Sequence, residues 1–221
     1  MRGSARKCEG EGGGTTGTTH RFEILEIGVN EFASEIDQLI AVYAAAMRPP
    51  ADQLIGRHAI MAGHTNYPRF RALTATADHR LAGFCYGFHG VAGQWWHDRV
   101  RRGLATSHGP EVAQAWLADS LELAELHVRP EFQGRGIGVA LLRGLPAGRR
   151  ERTVLLSTHD TESVARRLYR NTGFTDLLTG FWFDGADTPY AVMGAELPLR
   201  GCGGRQPAPG ADRSHGSPAT S

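Results

Sequence analysis

Gln133-Gly134-Arg135-Gly136-Ile137-Gly138 lies between a stretch with strand character, Leu121 to Val128, and one with helix character, Val139 to Leu145. A glycine turn that feeds a helix leaves the first N–H groups of that helix without intrahelical partners. Together with the helix macrodipole, these donors favour a phosphate. Glycine spacing alone is weak evidence, because ordinary tight turns also meet it. A Walker loop requires Lys and then Ser or Thr after its last glycine, and here Val139-Ala140 follows. A dinucleotide fingerprint requires G-x-G-x-x-G, whereas Gly134, Gly136 and Gly138 are spaced G-x-G-x-G.

The strand leading into this loop contains a break of phase. Leu121 and Leu123 are apolar at odd positions, while Ala124, Leu126 and Val128 are apolar at even ones. One extra residue near Leu123-Ala124, a β-bulge, reconciles the two halves, since side chains alternate across a strand. Glu122, Glu125 and His127 then share one face. Ionisable groups are costly to bury unpaired, so this gathering requires either a chemical role or structural partners such as Arg129 or Arg135.

Working outward, the 221 residues suit one domain with tails. Met1 to Thr19 and Gly201 to Ser221 are rich in Gly, Thr, Pro and Ser without apolar periodicity, and both are expected to be disordered tails around a domain spanning 20–200. Phe22 to Ile27 alternates as a strand, and a helix is expected over Glu31 to Met47 with Asn30 as its cap. A second helix is expected from Ala51 to Gly63, followed by a hairpin of Phe70 to Thr76 and Arg80 to His89. Val91 to Asp119 is too long for a simple connection and holds only one short helical stretch, Pro110 to Leu117. Thr153 to Ser157, Thr161 to Asn171, Thr175 to Phe183 and Tyr190 to Glu196 read as strand, helix, strand and strand.

A formal net charge of +1 provides no general field for nucleic acid or an anionic membrane. Cys8, Cys85 and Cys202 are too scattered for a disulfide framework or a metal site, and the histidines form no ligand-spaced pair on one helix face. With no apolar leader after Met1, the expectation is a soluble, cytoplasmic protein that binds neither membrane nor nucleic acid; assembly as a homodimer stays open.

Beyond the loop, the strand ends in Leu126-His127-Val128-Arg129-Pro130, and Leu168-Tyr169 is followed by Gly173-Phe174. Over Arg21 to Leu199 the chain resembles the GNAT superfamily of acyl-CoA-dependent N-acyltransferases, whose phosphate loop reads Q/R-x-x-G-x-G/A and whose last core helix carries a Tyr before a Gly-Phe. The resemblance implies an α/β (α+β) fold, with a mixed, mostly antiparallel sheet whose two central strands splay apart. It implies acetyl-CoA as co-substrate, without a metal, and a primary amine as acceptor, either a small molecule or a protein N-terminus. Gln133, Gly134, Arg135, Gly136, Ile137, Gly138 and Val139 would hold the pyrophosphate. The backbone of Leu126, His127 and Val128 would pair with pantetheine.

Within that resemblance a carboxylate, Glu125 or Glu122, would act as general base and Tyr169 as the acid toward the departing thiolate. His127 remains a third candidate base. Glu162 stands where many relatives carry an Asn that binds the pantetheine amide, with Thr161 or Ser163 as substitutes. Trp95, Trp96, Arg99, Arg101 and Arg102 either border the acceptor site or cover a core edge with solvated arginines, the plainer reading. The other class compatible with the fold is a non-catalytic acyl-CoA sensor.

Overall fold

Alternating segments of the chain become neighbouring strands of one sheet. The computed structural model describes residues 8–9 and 22–199. The strands are β1 (Cys8–Glu9), β2 (Phe22–Ile27), β3 (Arg71–Ala77), β4 (Arg80–His89), β5 (Ser120–Val128), β6 (Thr153–His159), β7 (Thr175–Phe181) and β8 (Tyr190–Glu196). They lie in the order β1-β2-β3-β4-β5-β6-β8-β7. Every neighbouring pair is antiparallel except β5 and β6, which run parallel. Both expected tails fall largely outside the described residues; Cys8–Glu9 is a short strand against Ile24 and Glu23.

Helices cover both faces. On one, α1 (Val29–Met47) buries Phe32, Ile36, Leu39, Val42 and Tyr43 against Ala72, Phe84, Tyr86 and Phe88 of the sheet. Its N-cap is Gly28 rather than the expected Asn30, and no side chain caps it. The helix expected over 51–63 is divided at Gly56, whose φ of 79° ends a 3-10 turn (Ala51–Leu54) and starts α2 (Arg57–His64). The 91–119 segment differs most from expectation. It forms a helical hairpin, α3 (Trp95–His108) and α4 (Pro110–Leu117), hinged at Gly109. Val100, Leu104, Ala113 and Leu117 pack on Leu155, Leu178 and Val192, so its apolar period is helical and core-facing.

On the other face, α5 (Ile137–Gly144) and α6 (Val164–Asn171) cover Leu121, Leu123, Val154 and Leu156. Both helices differ from the expected starts: α5 begins two residues before Val139, and α6 begins after Ser163, which caps it by accepting from the Arg166 N–H at 3.1 Å.

An ion cluster ties the connections at the closed end of the sheet. The Glu151 side chain is 1% exposed and takes hydrogen bonds from Arg149 at 3.1 and 2.6 Å, with Arg69 and His89 each 3.5 Å away. Burial raises its pKa, but the Arg149 bonds and the neighbouring cations outweigh this and hold it down at about 2. A depressed carboxylate contributes stability that is present above its unfolded pKa and lost as pH falls through its folded one. Wild-type stability is therefore expected to decline between about pH 4.5 and about pH 2, by on the order of 3 kcal/mol from this group. Glu151→Gln should be less stable at neutral pH by about 3 kcal/mol, since it deprives the buried Arg149 guanidinium of its carboxylate, and the gap should close in acid. Urea melts of both proteins from pH 7 to pH 2 check this.

Candidate active site

The break of phase in β5 is a bulge. Tyr86 pairs with Glu125 and Gly87 with Leu123, so Ala124 is the extra residue. The partner strand is built for it: a Cβ on Gly87 would collide with the Glu122 carbonyl. Leu121 and Leu123 consequently enter the core beneath α5, while Ala124 packs beneath α1. Glu122, Glu125 and His127 come to the face covered by α1 and α2. Glu122 lines a cavity there; His127 packs edge-on to Tyr43, with ring centres 5.0 Å apart.

The same strand loses its other neighbour. β5 pairs with β6 over Ser120, Leu121 and Glu122 only, opposite Thr153, Val154 and Leu155. From there the two diverge, and Leu126, His127 and Val128 pair on the β4 side alone, with Cys85, Phe84 and Gly83. The sheet is thus split along β5 just beyond Glu122.

At the far end of the split, a 3-10 turn (Pro130–Phe132) leads into the glycine loop. Gln133 Nε2 donates to the Val128 carbonyl at 3.0 Å and fixes the exit of the strand. Gly134 and Gly136 have φ of 75° and 85°, and a Cβ on either would meet nothing within 4 Å, so their backbones face open space. Helix α5 closes first with the Ala140 N–H on the Gly136 carbonyl at 3.0 Å. The N–H groups of Ile137, Gly138 and Val139 therefore belong to the uncapped first turn. The Ile137 side chain is core, and Gly138 allows Leu168 of α6 to approach within 3.3 Å of where a Cβ would be. Arg135 reaches Asp78 at 3.1 Å and lies over the Phe132 ring.

The two carboxylates have opposite environments. Glu125 is bonded to His127 and takes a 2.5 Å hydrogen bond from Arg57 Nη1, whose Nη2 also bonds the Tyr43 hydroxyl at 3.0 Å. Burial alone would raise the Glu125 pKa, but His127 and Arg57 prevail and lower it. Glu122 is 6% exposed, and its Oε2 is buried without a hydrogen-bond partner among the described residues. Burial pushes its pKa up to about 8.

Glu122 forms part of the wall of a cavity of about 390 Å³. Ile60 and His64 of α2, Tyr67, and Trp95 and Trp96 of α3 supply most of the remainder. His64 Nδ1 and the Tyr86 hydroxyl are 3.0 Å apart, and burial lowers the imidazole pKa, keeping the ring neutral. The two indoles thus border the cavity, while the arginines turn outward: Arg99 pairs with Asp184, and Arg102 bonds the Asp98 carbonyl at 3.3 Å.

Tyr169 lies in α6, 6% exposed, against Phe174. Burial, then the nearby Glu125 and Cys85, raise its pKa far above that of a free phenol, so it stays protonated. Glu162 is committed to Arg170 at 2.6 Å and the Ser163 oxygen to its cap, so of the two expected substitutes, Thr161 and Ser163, the latter does not reproduce an unpaired Asn. Sequence reasoning missed Arg57, Tyr43, His64 and Tyr86. Their contacts with the bulged strand and one another cross long sequence separations, and no local pattern signals them. Among the described residues no group of three or more His, Cys, Asp or Glu could hold a metal, and no helix is long and apolar enough to cross a membrane.

A model of the acetyltransferase (GNAT) domain family matches residues 69–176, which include the bulged strand, the loop and Tyr169. The GCN5-like protein acetyltransferase Rv2170 of Mycobacterium tuberculosis is 48% identical over 123 residues, covering 54% of this chain and 60% of that protein. Among solved structures, the ribosomal-protein-S18-alanine N-acetyltransferase of Escherichia coli superposes with a TM-score of 0.54 at 16% identity, over 84% of this chain and 99% of that one. Aminoglycoside 6'-acetyltransferase type Ii gives 0.55 at 19% identity, over 80% and 99%. PaiA N-acetyltransferase of Thermoplasma acidophilum, in complex with coenzyme A, gives 0.51 at 15%, over 79% and 98%. Motif, split sheet and these similarities agree: residues 69–176 carry an acetyltransferase domain of the GNAT family.

Proposed function

We propose that this protein transfers the acetyl group of acetyl-CoA directly to a primary amine, with Glu122 as the general base. The observation that carries this reading is the position of Glu122 at the vertex of the split, its Oε2 without a partner among the described residues and its pKa near the working pH. Gln133 and the backbone of Gly134, Arg135, Gly136, Ile137, Gly138 and Val139 take the pyrophosphate, a role supported by the open space over the two left-handed glycines. The free edge of Leu126, His127 and Val128 takes the pantetheine arm, whose amides suit strand-like pairing. An N–H on that edge would also polarise the thioester carbonyl.

The chemistry balances without a metal. Ionised Glu122 removes a proton from the acceptor ammonium, directly or through a water. The amine nitrogen attacks the thioester carbon, a C–N bond forms and the C–S bond breaks. Tyr169, held as a neutral phenol, donates to the departing sulfur, and the second proton shed by the nitrogen as the amide forms replaces, through water, the one it gave. Glu125, ionised and paired, has lower proton affinity and serves to hold α2 on the bulged strand through Arg57. The scattered cysteines, with Cys85 free and buried, support a reducing, cytoplasmic setting.

Glu122 acts as a base only after losing its proton, so kcat/KM should rise with pH through about 8 and level off above it. Glu122→Gln should lower kcat/KM by roughly 10² to 10⁴ and abolish that acid limb. A pH profile of the variant that retains the limb would assign the base elsewhere.

Tyr169→Phe keeps the ring packing and removes the hydroxyl alone. CoA affinity should survive, while turnover falls by roughly 10² or more when chemistry limits the rate. Single-turnover kinetics at matched CoA occupancy make the comparison, and an unchanged rate would return Tyr169 to a packing role.

A further inference from the structure

The cavity over Glu122 has an unusual division of labour in its lining. Its volume of about 390 Å³ lies within the range of small-molecule sites. Several of its polar groups are already committed inside the protein. The Gln94 carboxamide accepts from the Val91 N–H at 2.9 Å and donates to the His89 carbonyl at 3.2 Å. Trp96 Nε1 donates to Ser157 Oγ at 3.1 Å, and His64 Nδ1 is spent on the Tyr86 hydroxyl. Glu122 Oε2 alone is buried there without a partner among the described residues. The remaining wall is apolar or aromatic: Ile60, Tyr67, Trp95 and Trp96.

Such a wall selects its guest. One ammonium satisfies the single carboxylate, and the surrounding rings favour a cation and an aromatic body. Further charged groups would be buried without partners, which disfavours polyamines and aminosugars. Volume weighs against a lone lysine stem. The cavity corresponds to about a dozen waters at roughly 30 Å³ each, whereas a lysine side chain has five heavy atoms and would leave most of the apolar wall wet.

We propose that the acceptor is a small primary monoamine carrying an aromatic ring, its ammonium on Glu122 and its ring against Trp95, Trp96 and Tyr67. The proposal rests on the reading of this site as the place of acyl transfer. Trp95 sits at the margin, 55% exposed, with its ring 5.5 Å from that of Phe183, so it can be truncated without opening the core.

The test uses the full chain with acetyl-CoA and follows thiol release with 2-phenylethylamine, n-butylamine, spermidine, kanamycin and a lysine-containing peptide. The value of kcat/KM for 2-phenylethylamine should exceed each of the others by at least tenfold. Trp95→Ala should reduce its preference over n-butylamine by about threefold to tenfold, the scale of one aromatic contact. A better rate with spermidine, kanamycin or the peptide overturns the proposal, as does a preference untouched by Trp95→Ala. Calorimetry with CoA present separates this from the assignment of the base. Failure of 2-phenylethylamine to bind overturns the acceptor class whatever the base. Binding accompanied by turnover that survives Glu122→Gln supports the acceptor class and removes Glu122 from the chemistry.

Discussion

Everything functional in this fold depends on β5 having a partner on both sides for three residues and on one side thereafter. Backbone N–H and C=O groups are obligatory hydrogen-bonding groups, and a central strand that abandons its neighbour must have them met by water or a ligand. β5 parts from β6 after Glu122, opposite Leu155, and continues to Val128 alongside β4 alone. The bulge at Ala124 changes the strand's direction at that point, and Gly87 gives the bulge room. One local irregularity thus opens a slot in the sheet, turns Glu122, Glu125 and His127 to a common face, and ends at a glycine loop whose backbone lies open.

The same arrangement explains why two carboxylates three residues apart differ so much. Glu125 meets Arg57 from α2 and His127 on its own strand, and those partners stabilise its charge. Glu122 meets rings and aliphatic groups, so its charged form is disfavoured. A pair of titratable groups pushed apart in this way separates a structural ion pair from an acid–base group. With Glu122 Oε2 buried and without a partner among the described residues, ionisation of this carboxylate weakens the fold, a destabilisation commonly found at catalytic sites. The Glu151 cluster shows the contrast: an equally buried glutamate surrounded by cations, far on the stabilising side.

Much of this was legible in the chain. The phase break between Leu123 and Ala124 located the bulge, because side-chain alternation is a strict property of strands. Gly134 and Gly136 marked the loop, because few other residues adopt positive φ without strain. Less legible were features set by tertiary contact. The choice between Glu122 and Glu125 depends on Arg57, 68 positions away from Glu125, and on which aromatic rings close over Glu122. Across 91–119, charged residues and two adjacent tryptophans mask a helical period carried by Val100, Leu104, Ala113 and Leu117. Helix starts shifted at Gly136 and Ser163, where backbone geometry and a cap rather than apolar spacing fix the boundary.

The central claim is that the split beside β5 and the glycine loop together form the CoA site. Amide hydrogen exchange, resolved by residue and compared with and without saturating CoA, tests it most directly. The account predicts slowed exchange at residues 126–128 and 134–139, with β2 and β3 unchanged. Tight CoA binding that leaves 126–128 unprotected, or protects the α3–α4 hairpin in their place, would contradict it.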